Sequence, residues 1–451
     1  MMPNVTGRAL HLWEEIETMA VAIPNRSTTV ASSAPASYTG PLAVVTTLFF
    51  MWGFLTCLND ILVPHLKSIF DLNYTRVMLI QFAFFGAYFL FSIPSAKIID
   101  WIGYQRSMVV GLLTMGVGAF LFVPAASVPS YPLFLGALIV LAAGITCLQV
   151  AANPYVTILG KPETASSRLN LTQAFNSLGT FLAPFFGAMF ILSAAPKAID
   201  DIRAMAPDAL QAYRLHEAAS VKTPYVGLGI ALVVLAAAIG SFKLPKIPHA
   251  QHQLGEKVND SIWRHANLIF GAIGIFVYVG AEVSIGSFLV NYFSQPEIGG
   301  LTEKVAASFV AFYWGGAMVG RFIGSALLQK MNTGKLLGIC AICAAGLVTV
   351  SMLTTGHFAM YSIILVGFFN SIMFPSIFTL GVAELGPLTG DGSGIMIMAI
   401  VGGAIIPVAQ GAIADRIGIH HAFFLPVICY LYILFFAFSG SKPNSQRSAK
   451  A

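Results

Sequence analysis

Long runs of uncharged apolar residues recur along almost the whole chain, separated by short polar or charged segments. Each run reaches about 20 residues, the length that an α-helix needs to cross the hydrocarbon core of a bilayer. The pattern therefore predicts an all-α integral membrane protein with twelve transmembrane helices. The predicted spans are residues 41–66, 77–99, 107–126, 131–159, 169–194, 223–242, 266–294, 305–328, 335–355, 358–383, 393–414 and 420–440.

Two longer hydrophilic stretches interrupt this series. Residues 195–222 carry four acidic and four basic side chains and predict a short amphipathic helix outside the membrane. Residues 243–265 are charged and proline-containing, and they divide the spans into two groups of six. The expected organisation is a disordered cytoplasmic tail at 1–39, an N-terminal six-helix half at 40–242, a cytoplasmic linker at 243–265, a C-terminal six-helix half at 266–441 and a cytoplasmic tail at 442–451.

Composition and charge agree with a membrane protein. Apolar residues make up 57% of the chain and charged residues only 10%, against about 25% in typical soluble domains. The net charge of +5 does not indicate a nucleic-acid partner, because the basic residues lie mainly in the loops. Fifteen of the 24 Lys and Arg fall on the side that carries both termini, eight fall on the other side, and Arg321 lies within a span. By the positive-inside rule we expect both termini in the cytoplasm. The membrane that we expect is the cell inner membrane.

The two groups of six spans share a spacing of Pro and Gly residues. In the fourth and tenth spans a Leu-Gly pair follows a proline at the same distance: Pro154 with Leu159-Gly160, and Pro375 with Leu380-Gly381. In the fifth and eleventh spans two glycines eight residues apart bracket a proline: Gly179, Pro184 and Gly187, and Gly403, Pro407 and Gly411. An internal repeat of this kind predicts two pseudo-symmetric halves with a binding site between them near the midplane.

Two acidic residues fall within predicted spans. Glu282 is the only charged residue between Arg264 and Glu297 and lies near the middle of the seventh span, whereas Asp60 lies in the outer part of the first. An acid in the hydrocarbon region costs at least about 2.5 kcal/mol, so it usually faces a cavity and has a function. The alternatives are a hydrogen bond between helices for Glu282 and an interfacial position for Asp60. The first and seventh spans are counterparts in the repeat, which favours a functional pair.

Side-chain amides form the second candidate group, and we expect them to bind a polyol. They are Asn59, Gln149, Asn153, Gln173, Asn176 and Asn370. Amides offer both donors and acceptors, which suits sugar hydroxyls. Gln149 and Asn370 each lie five residues before the proline of their span, and Gln173 and Asn176 share one helix face. The alternative role is to bond neighbouring helices.

Aromatic side chains can stack on the apolar face of a pyranose ring. Tyr278 of the seventh span and Trp314 of the eighth are the expected contacts of this type, with Trp52 of the first span and Tyr313 of the eighth as further candidates. The alternative for each is packing or contact with lipid, since aromatic residues make up 12% of the chain.

Other chemistries are not indicated by the sequence. It contains no Gly-x-x-x-x-Gly-Lys-Ser/Thr phosphate-binding loop, so we do not expect ATP as the energy source. Cys340 and Cys343 have a redox or zinc spacing, but apolar residues surround them and no second pair follows, so we interpret them as packing residues. We expect no catalytic group, metal or cofactor, and hence no enzyme.

The segments that follow the second and eighth spans, residues 95–106 and 324–335, are similar in degraded form to the Gly-x-x-x-Asp-(Arg/Lys)-x-Gly-(Arg/Lys) signature of major facilitator transporters. Ser95 replaces the first glycine and Trp101 replaces the usual base. The resemblance implies a charge relay near helix ends that latches one transport state. The alternative is simple positive-inside charge.

Residues 51–65, 149–156 and 168–177 resemble the fucose permease and glucose/galactose transporter branch of the major facilitators, and the resemblance extends over about residues 41–440. It implies sugar–cation symport by alternating access. It also implies that Asp60 is the coupling acid of the first span and that Gln173 and Asn176 contact the sugar.

This chain departs from the fucose permease pattern at two positions. Gln149 stands where the fucose permease has a glutamate that takes part in proton coupling, and Glu282 stands where it has an amide. Because a glutamine cannot titrate, we assign coupling to Asp60 and Glu282, with either a proton or sodium as the ion.

The sequence therefore predicts a monomeric hexose–cation symporter of the lipid bilayer, with glucose or galactose favoured as substrate. Two alternatives stay open: a permease for L-fucose or another deoxy sugar, and a membrane sugar sensor that keeps the fold without transporting. The short tails argue against the sensor, since sensors tend to carry a large soluble output domain.

Overall fold

The computed structural model describes residues 38–70, 74–128, 130–190, 205–245 and 260–443. Within these ranges the side chains of 58–70, 74–79, 187–190, 217–218, 220 and 303 are not described. Most of the expected tail at 1–39, of the linker at 243–265 and of the tail at 442–451 therefore lies outside the described residues.

The described chain is helical throughout and contains no strand. Its transmembrane helices are Thr39–Phe70, Tyr74–Ser127, Tyr131–Ile158, Ala165–Phe190, Lys222–Ser241, Ala266–Ser294, Glu303–Leu327, Thr333–Leu353, Gly356–Asn370 with Met373–Gly381, Thr389–Met398 with Gly402–Ile417, and Ile419–Ala422 with Phe424–Phe435. A further helix, Pro207–Ser220, lies within the hydrophilic stretch 195–222, where the sequence predicts a short amphipathic helix. The predicted helix boundaries agree with the observed ones to within a few residues.

Twelve crossings follow from these described helices. Ten helical segments among the described residues are long and apolar enough to span a membrane, and one of these ten, Ile80–Ser127, has 48 residues. At 1.5 Å per residue it is about 72 Å long, enough for two passes. It bends at Gly103, whose backbone (φ 80°, ψ 167°) is open to glycine but strained for other residues. Ala165–Phe190 supplies the remaining pass; it is less apolar because several of its polar side chains face the other half of the protein. The twelve-span prediction is confirmed.

Prolines interrupt the fourth and tenth spans in a way that creates free acceptors. A proline has no N–H, so the carbonyl four residues before it loses its helical partner. Pro154 frees the carbonyl of Val150, which accepts a 2.8 Å hydrogen bond from Ser393 Oγ of the eleventh span. Pro375 frees the carbonyl of Ser371, which accepts from Arg321 Nε of the eighth span at 3.3 Å. In both halves, the carbonyl that the proline frees thus accepts a hydrogen bond from a side chain of another helix.

Close glycine contacts between helices reproduce the pseudo-symmetry of the halves. A Cβ on Gly179 of the fifth span would overlap the carbonyl oxygen of Phe50 in the first, and a Cβ on Gly53 of the first would overlap that of Asn176 in the fifth. In the C-terminal half, a Cβ on Gly402 would overlap the carbonyl oxygen of Phe276 in the seventh span. The counterpart of the first–fifth contact is therefore the seventh–eleventh contact.

The sequence repeat matched Gly179 with Gly403, but the structure matches it with the adjacent residue, Gly402. A Cβ on Gly403 would lie 2.8 Å from the ring of Phe85 in the other half and 3.1 Å from Val279. The one-residue difference depends on which residue aligns the two halves: Gly402 lies five residues before Pro407, as Gly179 lies five before Pro184, whereas Gly403 lies four before Pro407. Gly187 lies outside the described side chains.

We expect Gly179→Ala to destabilise the protein by about 1–3 kcal/mol, because the added methyl must push the first and fifth spans apart. The matched control is Gly346→Ala in the ninth span, where an added Cβ meets nothing within 4 Å. Thermal unfolding of the purified variants measures the difference. Equal melting temperatures for the two variants would contradict the close contact. Gly179→Leu and Gly402→Leu should impair transport more than expression.

The two halves are joined on the side of the membrane where the first span begins, which we call the terminal side. On this side Lys97 Nζ at the end of the second span lies 2.8 Å from Asp391 Oδ1 at the start of the eleventh. Asp100 lies 3.5 Å from the same ammonium group. These residues come from the signature-like segment after the second span and from the opposite half, so the segment takes part in an ion pair that joins the halves.

A second set of contacts on the terminal side joins the fifth span to the eighth and tenth. Ser166 Oγ lies 2.6 Å from Thr379 Oγ1. Ser167 Oγ donates to the carbonyl of Ser325 at 2.7 Å, and Ser325 Oγ donates back to the carbonyl of Ser167 at 3.1 Å. Together with the Lys97–Asp391 pair, we call these contacts the terminal gate. The described conformation is closed at this gate.

Candidate functional site

Glu282 belongs to a polar network in the interior of the C-terminal half. Tyr278 Oη donates to Glu282 Oε1 at 2.8 Å and lies 3.1 Å from the carbonyl of Asn370. Asn370 Nδ2 donates to Tyr313 Oη at 2.9 Å, and Tyr430 Oη donates to Asn370 Oδ1 at 2.8 Å. The seventh, eighth, tenth and twelfth spans are thus linked through one buried asparagine.

Glu282 is the member of this network that keeps unused hydrogen-bond acceptor sites. Tyr278 and Asn370 are buried, and their polar atoms are bonded within the protein. Glu282 is only half-buried and accepts one hydrogen bond from the described residues. An ionised carboxylate has about four acceptor sites, so this one retains the capacity to bind a cation or a hydroxyl group.

The N-terminal half contains a matching amide–tyrosine pair. Gln149 Nε2 donates to Tyr88 Oη of the second span at 2.8 Å, as Asn370 donates to Tyr313 of the eighth. The fourth and tenth spans, like the second and eighth, are counterparts in the repeat. Gln149 and Asn370, which the repeat pairs, therefore lie in equivalent environments. In this conformation the side-chain nitrogen of each donates to a tyrosine of the protein.

The other predicted amides of the N-terminal half differ in how much of each is free. The Gln173 side chain makes no hydrogen bond to a described residue and keeps 5% of the residue exposed. Asn176 Nδ2 donates to the carbonyl of Phe49 at 3.0 Å, which ties the fifth span to the first. Asn153 is fully buried, and neither its Oδ1 nor its Nδ2 has a partner among the described residues. Gln173 thus keeps its side-chain donors and acceptor unused by the described residues.

The two aromatic residues predicted to contact the sugar differ in exposure. Trp314 is 41% exposed. Its ring packs against Gly286, where an added Cβ would lie 3.0 Å from it, and it contacts the Tyr313 ring edge to face with the ring centroids 5.1 Å apart. Tyr278 is 1% exposed and buried inside the C-terminal half. The side chains of Asn59 and Asp60 lie outside the described residues, although their backbone belongs to the helix Thr39–Phe70.

Arg321 is an intramembrane cation to which sequence reasoning assigned no role. Besides the Ser371 carbonyl, its guanidinium donates to the Gln173 carbonyl at 3.3 Å and to Ser177 Oγ, both in the fifth span. The backbone carbonyl of Arg321 accepts from Asn170 Nδ2 at 2.6 Å. The cost argument that singled out the acids applies equally to this arginine and could have found it.

The tyrosines that bond the two matching amides had no comparable signal: Tyr88 and Tyr430 were not predicted, and Tyr313 was a candidate only for stacking on a sugar ring. The chain contains 14 tyrosines, and the identity of a tyrosine does not indicate whether its hydroxyl meets an amide on another helix.

A comparison with known families matches residues 42–400 to the Major Facilitator Superfamily. The chain is 55% identical to the glucose/galactose transporter of Brucella abortus over 425 residues, which cover 94% of this chain and all of that protein. It is 36% identical to the L-fucose-proton symporter of Escherichia coli over 89% of this chain and 93% of that protein.

Among solved structures, the crystal structure of a fucose transporter in the outward conformation superposes with a TM-score of 0.83 at 34% identity, covering 90% of this chain and 99% of that one. A proton:xylose symporter shares the fold with a TM-score of 0.69 at 10% identity.

Proposed function

The chain belongs to the Major Facilitator Superfamily, and from this premise we propose that it imports a hexose, glucose or galactose, together with a cation by alternating access. The family and its relatives are membrane transporters, not enzymes. The observation that carries the sugar assignment is the 55% identity to a glucose/galactose transporter over that protein's whole length.

The site supports a sugar as cargo. The unbonded amide of Gln173 offers two donors and an acceptor to hydroxyl groups. Half-buried Glu282 and partly exposed Trp314 lie on the seventh and eighth spans, which also contribute to the C-terminal network. We propose that Gln173 and Asn176 bind the sugar from the N-terminal half. Asn59, Gln149, Asn153, Asn370, Tyr278 and Trp314 complete the proposed substrate site.

An L-fucose permease is the second candidate function, since the L-fucose-proton symporter is also a full-length relative. Two observations favour the hexose. The identity to that relative is 36%, against 55% to the glucose/galactose transporter. In addition, Gln149 stands where the fucose permease has a titratable glutamate that takes part in proton coupling, and the Gln149 amide is hydrogen-bonded to Tyr88.

We assign cation coupling to Asp60 and Glu282. A carboxylate in a low-dielectric cavity can bind a proton, and with neighbouring hydroxyl and carbonyl oxygens it can hold sodium, which like other hard cations prefers oxygen ligands. Glu282 has the free acceptor capacity for either ion.

The remaining assignments concern the protein in its membrane. We propose a monomer in the cell inner membrane with both termini cytoplasmic, so that the terminal gate faces the cytoplasm. The proposed organisation keeps the halves at 40–242 and 266–441 with a cytoplasmic linker at 243–265 between them.

Uptake into vesicles that contain the purified protein tests the function. Labelled glucose, galactose and L-fucose are supplied separately, under an imposed sodium gradient or an imposed pH gradient. We expect accumulation of glucose or galactose under one of the gradients. Accumulation of L-fucose alone would establish the second candidate, and binding without accumulation of any sugar would indicate a sensor.

We expect Gln173→Ala to weaken hexose binding by about ten- to hundredfold, because a sugar hydroxyl left unpaired costs about 1–3 kcal/mol. Calorimetry on the purified protein measures the affinity. Gln105→Ala is the matched control, since Gln105 bonds the carbonyls of Ile239 and Phe242 at the end of the sixth span. Unchanged affinity in Gln173→Ala would remove this residue from the site.

A further inference from the structure

Arg321 is shared between the two halves of the protein. From the eighth span of the C-terminal half, its side chain binds the Ser371 carbonyl within its own half. It also binds Gln173 and Ser177 in the N-terminal half. A guanidinium group has five N–H donors in a planar fork, so it can hold both halves at once.

The position of Arg321 connects it to the terminal gate. Ser325, one helical turn further along the eighth span, exchanges hydrogen bonds with Ser167 of the fifth. When the gate opens, the eighth and fifth spans must separate, and Arg321 then loses its bonds to Gln173 and Ser177. A charged group within the membrane that loses its partners must find others, because leaving it unpaired is costly.

Glu282 and Arg321 are both linked to the same turn of the tenth span. Tyr278, which donates to Glu282, lies 3.1 Å from the carbonyl of Asn370, and Arg321 donates to the carbonyl of the next residue, Ser371. The two groups are not in direct contact, since no ion pair within 4 Å joins them in the described chain. In the closed gate Arg321 is held by the fifth span, while Glu282 is bonded to Tyr278. Both residues belong to the C-terminal half, so they stay near each other when the halves move apart.

We propose that Arg321 is a positioning residue that makes opening of the terminal gate depend on the charge of Glu282. An ionised Glu282 attracts the guanidinium away from the fifth span and offers it a partner once the gate opens. A neutralised Glu282 offers no such partner, so Arg321 stays with Gln173 and Ser177 and the gate stays closed. The inference rests on the proposed coupling role of Glu282.

This arrangement gives a physical reason why the ion does not cross without sugar. A carrier that has bound only the cation has a neutral Glu282 and would hold its terminal gate closed, which prevents a leak of the ion without sugar. Bound sugar, by supplying hydroxyl oxygens beside Gln173, would replace the acceptors that Arg321 loses on opening.

The test measures gate opening directly, without sugar and without a gradient. Thr379, which is 8% exposed and contacts Ser166 in the gate, is replaced by cysteine in a chain freed of its native cysteines, and its labelling by a maleimide is timed. The reporter is combined with Glu282→Gln, with Arg321→Gln and with both substitutions. The control is a chain that keeps only the native Cys147, which is buried within the N-terminal half and reports unfolding instead of gate opening.

We expect Glu282→Gln to slow labelling about fivefold or more when Arg321 is present, the lower end of typical coupling between sites. In the Arg321→Gln background the same change should leave the rate unaltered. An equal effect in both backgrounds, or no effect in either, would overturn the proposal.

Arg321→Lys provides a second test should Arg321→Gln fail to fold. Lysine keeps the charge, so the dependence on Glu282 should persist, and its loss would overturn the electrostatic link. Because labelling needs no sugar, failure here is distinguishable from failure of the hexose assignment, which would be seen in the vesicle uptake.

Discussion

Glu282→Gln is expected to abolish accumulation of sugar against a gradient while sparing exchange of sugar between loaded compartments. Glutamine has nearly the shape of glutamate and keeps an oxygen for the hydrogen bond that Tyr278 donates at 2.8 Å, so the C-terminal network should survive. What is lost is the negative charge. Cation coupling requires that charge to be neutralised in the loaded carrier and restored in the empty one, whereas exchange of sugar for sugar requires neither.

The measurement compares gradient-driven uptake with exchange in vesicles of the same preparation. Glu297→Gln is the matched control. Glu297 is exposed just beyond the end of the seventh span, so this substitution makes the same chemical change away from the site. Loss of both uptake and exchange in Glu282→Gln would instead assign Glu282 to sugar binding.

Asp60→Asn is expected to show the same separation of uptake from exchange, by the resemblance of the first span to sugar–cation symporters. If Asp60→Asn and Glu282→Gln both still concentrate sugar, the coupling assignment is wrong and another group carries the ion.

The second large effect is expected from locking the terminal gate. The oxygens of Ser166 and Thr379 lie 2.6 Å apart, so cysteines at both positions need little movement to reach the sulfur–sulfur distance of about 2.05 Å in a disulfide. In a chain freed of its native cysteines, oxidation of the double variant should abolish uptake and reduction should restore it, because alternating access requires the two halves to separate on this side.

The single variants Ser166→Cys and Thr379→Cys are the controls, since neither can form the intramolecular bond. Oxidation should leave their uptake unchanged. Full uptake by the oxidised and cross-linked double variant would show that the gate does not open during transport.

The sequence alone established the twelve spans, the two halves and the presence of an acid in the seventh span. It could do so because a bilayer imposes strong local requirements: each crossing needs about 20 apolar residues, and a charge within one is rare enough to be informative. The repeat of Pro and Gly was detectable for a related reason. Proline frees a specific carbonyl and glycine permits close helix contact, so both leave a trace at fixed spacing.

Only the tertiary structure decided which of the candidate polar groups are free. Asn370 and Gln173 are both amides in the middle of apolar helices. The side-chain nitrogen and oxygen of Asn370 are both hydrogen-bonded to tyrosines, whereas the Gln173 side chain has no partner among the described residues. The difference depends on tyrosines of the eighth and twelfth spans, which are distant in sequence. The spacing of residues along one helix does not determine the rotation or the axial position of its neighbours, and these set every contact between helices.

The same limit explains why the role of Arg321 was not predicted. Pro375 of the tenth span frees the Ser371 carbonyl that binds Arg321 of the eighth. Local sequence indicates that such features exist, because their chemistry is local. Which partner they meet is decided by packing between helices, because a hydrogen bond forms only where two groups come within about 3 Å of each other.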